Sequence, residues 1–239
     1  MVAIITQARV NSSRLPNKIF LEASGISFLQ HHINRLKKTG LPVIVATTNN
    51  GSEKPIVDFC KKENIPCYCG DENNVLKRYY ECAKKYGVST VIRVTSDCPL
   101  IDATLIQNGL AAYKKNESHT IYYSNTIERS YPRGMDYEIF SFELLEDAFN
   151  NATDESDKEH VTPYLWKNKS GNVTVKTDLC SEANSNYRIT LDTAEDLDLL
   201  TRLIEKHAAD KMDCDTIVQV LKNNPELAEI NKLIEQKKV

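Results

Sequence analysis

Between residues 2 and 113 short apolar runs alternate with amphipathic stretches, and that rhythm leaves few folds open to the chain. Ile4–Ala8, Val43–Thr47, Ile65–Cys69 and Thr90–Thr95 each read as a buried strand. The segments between and after them read as helices. Ser27–Thr39 carries Phe28, Leu29, Ile33 and Leu36 on one face, the next helix carries Ile56, Val57, Phe59 and Cys60, and Asn74–Tyr86 and Ala103–Tyr113 follow. Gly40 and Gly87 stand where two of these helices stop, and Ser52 stands where a cap would open another. Repeated strand–helix units with short links predict a mostly parallel sheet covered by helices on both faces, with right-handed crossovers. A length of 239 residues suits one large α/β domain.

The rhythm changes after about residue 117. Thr120–Ser124, Tyr137–Ser141 and Asn172–Thr177 read as strands, separated by a helix at Phe142–Asn150 and a shorter one around Glu159–Lys167 that Pro163 limits or bends. Residues 118–180 therefore read as an insertion on the parallel core. Tyr187–Leu191 reads as a late strand leading into a helix at Ala194–Lys206, where Thr193 and Asp196 make a variant capping box. Residues 214–239 read as a polar helical tail. The pair His31-His32, inside a helix and without an acid at useful spacing, reads as surface.

A net charge of −3 argues against a general nucleic-acid binder, which needs a basic face. No apolar run approaches the ~20 residues that span a bilayer. The chain enters its first strand without a basic leader or a cleavage site, so no membrane association and a cytoplasmic location are expected. Seven cysteines, an odd number with no C-x-x-C pair, read as reduced thiols packed as small apolar residues.

The chemistry concentrates at strand ends. Directly after the first strand comes Gln7-Ala8-Arg9-Val10-Asn11-Ser12-Ser13-Arg14-Leu15-Pro16-Asn17-Lys18. Small polar residues and exposed amides can wrap an anion, and two Arg and one Lys neutralise it. In open α/β sheets ligands bind beyond the carboxyl ends of the strands, so this loop reads as a phosphate site. The fourth strand ends in Val94-Thr95-Ser96-Asp97-Cys98-Pro99-Leu100, and a second acid stands in Leu191-Asp192-Thr193. Each acid alone could cap a turn. Together with a cationic loop they form a kit for metal-assisted nucleotidyl transfer, since Mg²⁺ favours one or two carboxylates plus phosphates.

These residues carry a resemblance. Gln7-Ala8-Arg9 and Ser13-Arg14-Leu15-Pro16-Asn17-Lys18 resemble the A-R-x-x-S-x-R-L-P-x-K signature of the sugar-acid cytidylyltransferases. The likeness continues through Gly70–Tyr80, Arg93–Asp102, Pro132–Glu138, Glu159–Tyr164 and Leu191–Leu197, in the family's order and over about residues 1–200. Thr95-Ser96-Asp97-Cys98-Pro99 departs from the Gln-Gly-Asp-x-Pro of the 3-deoxy-manno-octulosonate enzymes. It matches the Thr-x-Asp-Cys-Pro of the spore coat polysaccharide biosynthesis protein F group, which the chain therefore resembles most.

The resemblance implies a Rossmann-like nucleotide-diphospho-sugar transferase fold with a β-containing arm, at about 118–180, that builds a homodimer. It implies transfer of CMP from CTP to a sugar acid or a related acidic or phosphorylated acceptor, with Mg²⁺ and with release of pyrophosphate, for surface polysaccharide synthesis. Arg9, Arg14, Lys18 and Asp97 would act in catalysis, and Asp97 and Asp192 would hold the metal. Ala8, Arg9, Ser13, Arg14, Lys18, Asp71, Val75, Arg78 and Ser96 would hold the nucleotide. Tyr131, Arg133, Asp136, Glu138 and His160 are candidates for the acceptor pocket, with ordinary turn or helix-start roles as the alternative. Two other readings stay open. A glycosyltransferase of the same fold would usually show an Asp-x-Asp pair where Ser96-Asp97-Cys98 has one Asp, and an inactive nucleotide-binding homologue would have little need of both acids.

Overall fold

The computed structural model describes residues 1–12, 14–115 and 118–235. The opening apolar run forms β1 (Val2–Gln7). A small antiparallel ribbon, β2 (Glu22–Ala23) and β3 (Ile26–Ser27), follows before the chain returns as β4 (Val43–Thr48), β5 (Cys67–Gly70) and β6 (Thr90–Thr95). The insertion supplies β7 (Ile121–Ser124), β8 (Glu138–Ser141) and β9 (Thr174–Thr177). Seven strands make one sheet in the order β5-β4-β1-β6-β8-β7-β9. Only β8 runs against its neighbours, so the sheet is mostly parallel as the alternating pattern predicts. The arm segment thus extends the central sheet.

Alternate residues of the strands enter two separate cores, the period-2 consequence of a pleated sheet covered on both sides. Ile4, Val45, Ile92 and Ile139 point into one core. Helices α1 (Phe28–Lys37), α2 (Lys54–Lys62), α4 (Ala103–Lys114), α8 (Ala194–His207) and α9 (Cys214–Asn223) cover it, as does the short α10 (Pro225–Glu229). Ala3, Ile5, Ile44, Val91 and Phe140 point into the other, under α3 (Val75–Tyr86), α5 (Phe142–Asn151), α6 (Glu155–His160) and α7 (Pro163–Trp166). Ser27, Asn74 and Ser141 cap α1, α3 and α5 through their side chains, and Thr193 with Asp196 completes the expected capping box of α8.

Four local expectations differ from the structure. Ser52 caps nothing, because its hydroxyl donates to Asn50 Oδ1 at 2.7 Å and Glu53 holds the cap position of α2. The helix expected around 159–167 is two helices, since Val161 sits at φ 73° and Pro163 then starts α7. Tyr187–Leu191 forms a single bridge at Arg188 to Arg133 and no ladder. His31 and His32 are buried, not superficial: His31 Nε2 bonds Ala23 O at 2.9 Å, and His32 lies between Thr6 and Cys98. Of the expected tail, residues 236–239 lie outside the described residues.

Candidate active site

The strand order reverses between β1 and β6, and the loops that leave their carboxyl ends open onto one crevice. Lys18 reaches it from the end of the basic loop, on a 3-10 turn at Lys18–Phe20 that follows left-handed Asn17. Asp97 follows β6 directly. Asp192 is brought in by the strip mistaken for a strand. The Leu191 amide donates to Asp97 O at 2.8 Å and the Thr190 hydroxyl to the same oxygen at 3.0 Å. The Ile189 amide donates to Arg133 O at 2.8 Å, and Gly134 packs so closely beneath that a Cβ there would lie 2.5 Å from Ile189 O. Alternation in Tyr187–Leu191 is therefore real, and its task is to tie residue 192 to residue 97.

The two acids meet on one ammonium. Lys18 Nζ lies 3.2 Å from Asp97 Oδ2 and 2.7 Å from Asp192 Oδ1. Asp192 Oδ2 also takes Arg188 Nη2 at 3.0 Å and Arg14 Nη2 at 3.2 Å. Arg188 is itself held by Asp196 through bonds of 2.9 Å from Nε and Nη2. Burial would raise the Asp97 carboxyl, but the adjoining Lys18 charge and the Thr95 hydroxyl hold it down at about 2. Burial likewise opposes the Lys18 charge, and the two acids outweigh it and keep the ammonium protonated.

Beside these acids is a cavity of about 110 Å³, lined by Thr95, Asp97, Cys98, Arg129, Arg133, Gly134, Asp136, Thr190 and Asp192. Arg129 grips Asp136 through two bonds, of 2.8 and 2.9 Å, which leaves Arg133 as a cation facing the cavity. Burial, then the neighbouring Arg129, lowers the Arg133 pKa. Of the acceptor candidates Arg133 and Asp136 line this cavity, whereas Tyr131 is half-buried against the core outside the lining.

Glu138 is a correction. Its carboxylate lies inside the fold, bonded to Arg93 and accepting from Tyr122 Oη and Thr162 Oγ1 at 2.6 Å each, so it has no free oxygen to offer an acceptor. His160 stands apart from the cavity, near Arg93, and burial lowers its pKa. The Thr162 amide donates to His160 O at 2.9 Å around Val161, a strained γ-turn for a β-branched residue that fixes where His160 and Thr162 point.

The basic loop borders a second, larger cleft of about 530 Å³, lined by Arg9, Val10, Asn11, Ser12, Pro16 and Asn17. Arg9 is exposed at its edge. Ala8 and Ser96 are buried at the strand ends, where their amides bond Ala46 O and Gln7 O. Ser13 lies outside the described residues. The side chains of three expected nucleotide contacts are taken up by their own loop. Asp71 Oδ1 accepts the Asn73 and Asn74 amides at 3.0 Å each, Arg78 donates to Asp71 O and Glu72 O, and Val75 is packed into the core. These bonds shape residues 71–78, and the Asp71 side chain remains 37% exposed.

Three arginines that organise this end of the sheet were not singled out in the sequence. Arg93 interrupts the apolar run Val91-Ile92-Arg93-Val94, which is the signal that could have revealed it. Its guanidinium links Gln7 Oε1, at 3.2 Å, to Glu138. Arg129 and Arg188 pair with acids four to eight residues on, in irregular segments whose sequence pattern does not foretell the pairing. Among the described residues no group of three His, Cys, Asp or Glu side chains could hold a metal ion. The pair Asp97 and Asp192, already sharing a cation, is the donor set on offer, and it suits a hard ion completed by phosphate and water.

A family model described as cytidylyltransferase matches residues 3–216. An uncharacterised protein of Methanocaldococcus jannaschii is 32% identical over 236 residues, covering 98% of this chain and 95% of its own. Spore coat polysaccharide biosynthesis protein SpsF of Bacillus subtilis is 26% identical over 238 residues, covering 95% and 96%. The solved structure of a cytidylyltransferase from Leptospira borgpetersenii superposes with a TM-score of 0.91 at 29% identity, covering 99% of both chains. The architecture is that of the nucleotide-diphospho-sugar transferase fold.

Proposed function

The chain belongs to the cytidylyltransferase family, and from that premise we propose that it transfers CMP from CTP to a small acidic acceptor and releases pyrophosphate. The observation that carries this reading is the convergence of Asp97 and Asp192 on one cation beside the basic loop. Arg9 and Arg14 hold the triphosphate, with Lys18 joining them, as charge-assisted donors to phosphate oxygens. Asp97 and Asp192 would hold Mg²⁺, which would supply positive charge against the charge that develops on the phosphates. Arg133 binds an anionic group of the acceptor in the cavity next to those acids. The acceptor hydroxyl oxygen then forms a bond to the α-phosphorus as the bond to the pyrophosphate oxygen breaks and the hydroxyl proton passes to water, with Arg14 and Lys18 stabilising the departing charge.

SpsF is named for spore coat polysaccharide biosynthesis, which supports placing this reaction ahead of surface polysaccharide assembly. Seven free cysteines agree with a cytoplasmic site of action, and no helix among the described residues is long and apolar enough to cross a membrane. The β7–β9 side of the sheet, with exposed Ile127 and Leu179 beside it, is the face we assign to a homodimer, which light scattering tests against the 27.1 kDa monomer mass. The deciding experiment incubates the protein with each nucleoside triphosphate, Mg²⁺ and a panel of sugar acids and sugar phosphates, following pyrophosphate. Release with CTP and an acidic acceptor is expected. Release with UTP alone, or consumption of a nucleotide sugar without pyrophosphate, would replace the proposal with another transferase.

A further inference from the structure

Lys18 does something that phosphate binding alone does not explain. Its ammonium is spent on the two acids, where it bonds a carboxylate oxygen of each. We propose that Lys18 occupies the divalent-cation seat of the empty enzyme, so that the ion enters only together with a nucleotide whose phosphates draw the ammonium away. This inference rests on the nucleotidyl-transfer reading above.

Three observations carry it. First, the seat is filled: Nζ bonds both carboxylates at 3.2 and 2.7 Å, and the Lys18, Asp192 and Asp97 side chains are 11%, 13% and 28% exposed. Second, the charges within the bonded network already balance. Lys18, Arg14 and Arg188 face Asp97, Asp192 and Asp196, three cations against three carboxylates joined in one network. A divalent ion arriving alone must expel the ammonium and leave it without an anion in a half-dry site, an expensive state. A triphosphate removes that penalty by accepting the lysine. Third, only the side chain needs to move. The Lys18 backbone is set by the 3-10 turn behind Asn17 at φ 55°, while its four-carbon stem can swing toward the cleft lined by Arg9, Asn11, Ser12 and Asn17. Metal and nucleotide are then coupled ligands, and each must tighten the other by the same factor.

Mn²⁺ serves as the probe, its free concentration read by electron paramagnetic resonance with and without a non-hydrolysable CTP analogue. Wild-type protein should bind Mn²⁺ alone weakly, and the analogue should tighten it at least tenfold. Lys18→Gln, which keeps the stem and removes the charge, should bind Mn²⁺ alone at least tenfold tighter than wild type and lose most of the analogue's effect. Lys18→Arg, still cationic, should behave as wild type. Equal Mn²⁺ affinity in wild type with and without the analogue overturns the proposal on the native protein alone, even should the Gln variant fail to fold. Mn²⁺ affinity in a folded Lys18→Gln no higher than in wild type overturns it as well. Pyrophosphate release by wild type, assayed in parallel, separates the two readings: release without coupling sinks only the lysine seat, and coupling without release from any acceptor sinks only the transferase assignment.

Discussion

Two ion clusters lie within the same sheet and are finished differently. At the rim, Asp97 and Asp192 share Lys18, with Arg14 and Arg188 on the far oxygen of Asp192. In the interior, Glu138 faces Arg93 and is closed off by the Tyr122 and Thr162 hydroxyls. The interior cluster uses neutral donors that cannot leave, whereas the rim cluster uses long cationic side chains on loops that can exchange their anion for a ligand. A closed cluster holds the fold together, and an open one is available for chemistry. The sharpest break between them is expected on turnover. Asp97→Asn or Asp192→Asn should lower the rate of pyrophosphate release by roughly a thousandfold or more, since metal–phosphate contacts supply several kcal/mol to the transition state. Thermal stability should change little, because each substitution leaves Lys18 one acid. Normal turnover in either variant would remove that acid from the metal site.

For the interior pair the expected loss falls on folding instead. Glu138→Gln keeps the shape but leaves the Arg93 charge uncompensated. Breaking a buried pair in this way costs about 3–5 kcal/mol, which urea unfolding would read directly. Stability close to wild type, together with a weakened acceptor KM, would return Glu138 to the acceptor pocket and erase the distinction between the two clusters.

The same distinction governs what could be read in advance. The parallel half was legible because each strand and helix there is specified by its own local pattern, from Val2–Gln7 through Ala103–Lys114. That Asp97, Asp192 and Lys18 meet at one crevice was legible as well, since the two acids and the basic loop all stand where βα-type units turn at one rim of the sheet. Residues whose partners lie far along the chain were not. His32 reads as surface because no nearby acid explains it, yet its partners are Thr6 and Cys98, 26 and 66 residues away. Glu138 reads as a ligand for the same reason: the hydroxyls that satisfy it come from residues 122 and 162. Tyr187–Leu191 has the alternation of a strand, and only the fold shows that it crosses from Arg133 to Asp97 instead of joining a ladder.

His32 offers a test of the interior by pH. The carbonyl of Cys98 can only accept, so Nδ1 carries the hydrogen at 2.8 Å and Nε2 accepts from the Thr6 hydroxyl at 2.9 Å. The ring is therefore held neutral, and burial pushes its pKa down to about 4. An unfolded histidine takes its proton near 6.5, so between those values the unfolded state binds more protons. Stability is fully present above pH 6.5 and falls as pH drops toward 4, by about 3 kcal/mol in all from this group. His32→Asn puts an amide N–H near the position of Nδ1 and cannot titrate. It should be less stable than wild type at pH 7 and show a shallower decline from pH 6.5 to 4.5 in chemical denaturation. Equal slopes would mean that the ring is not buried as a neutral donor.

The smallest expected effect probes the exchangeable side of the rim. Arg14 holds Asp192 at 3.2 Å from a side chain that is 36% exposed, so in the empty protein it makes a partly solvated contact worth little to the fold. Facing a triphosphate, the same guanidinium makes a charge-assisted bond worth about 1.5–3 kcal/mol. Arg14→Ala should therefore weaken CTP roughly tenfold to a hundredfold in calorimetric titration, with a melting temperature within a degree or two of wild type. Arg188→Ala should do the reverse. Arg188 is 7% exposed and its bonds to Asp196 tie α8 to Asp192, so its loss should lower the melting temperature before it alters nucleotide affinity. If both variants lose stability and keep their affinity for CTP, the phosphates bind elsewhere and the rim cluster is as closed as the interior one.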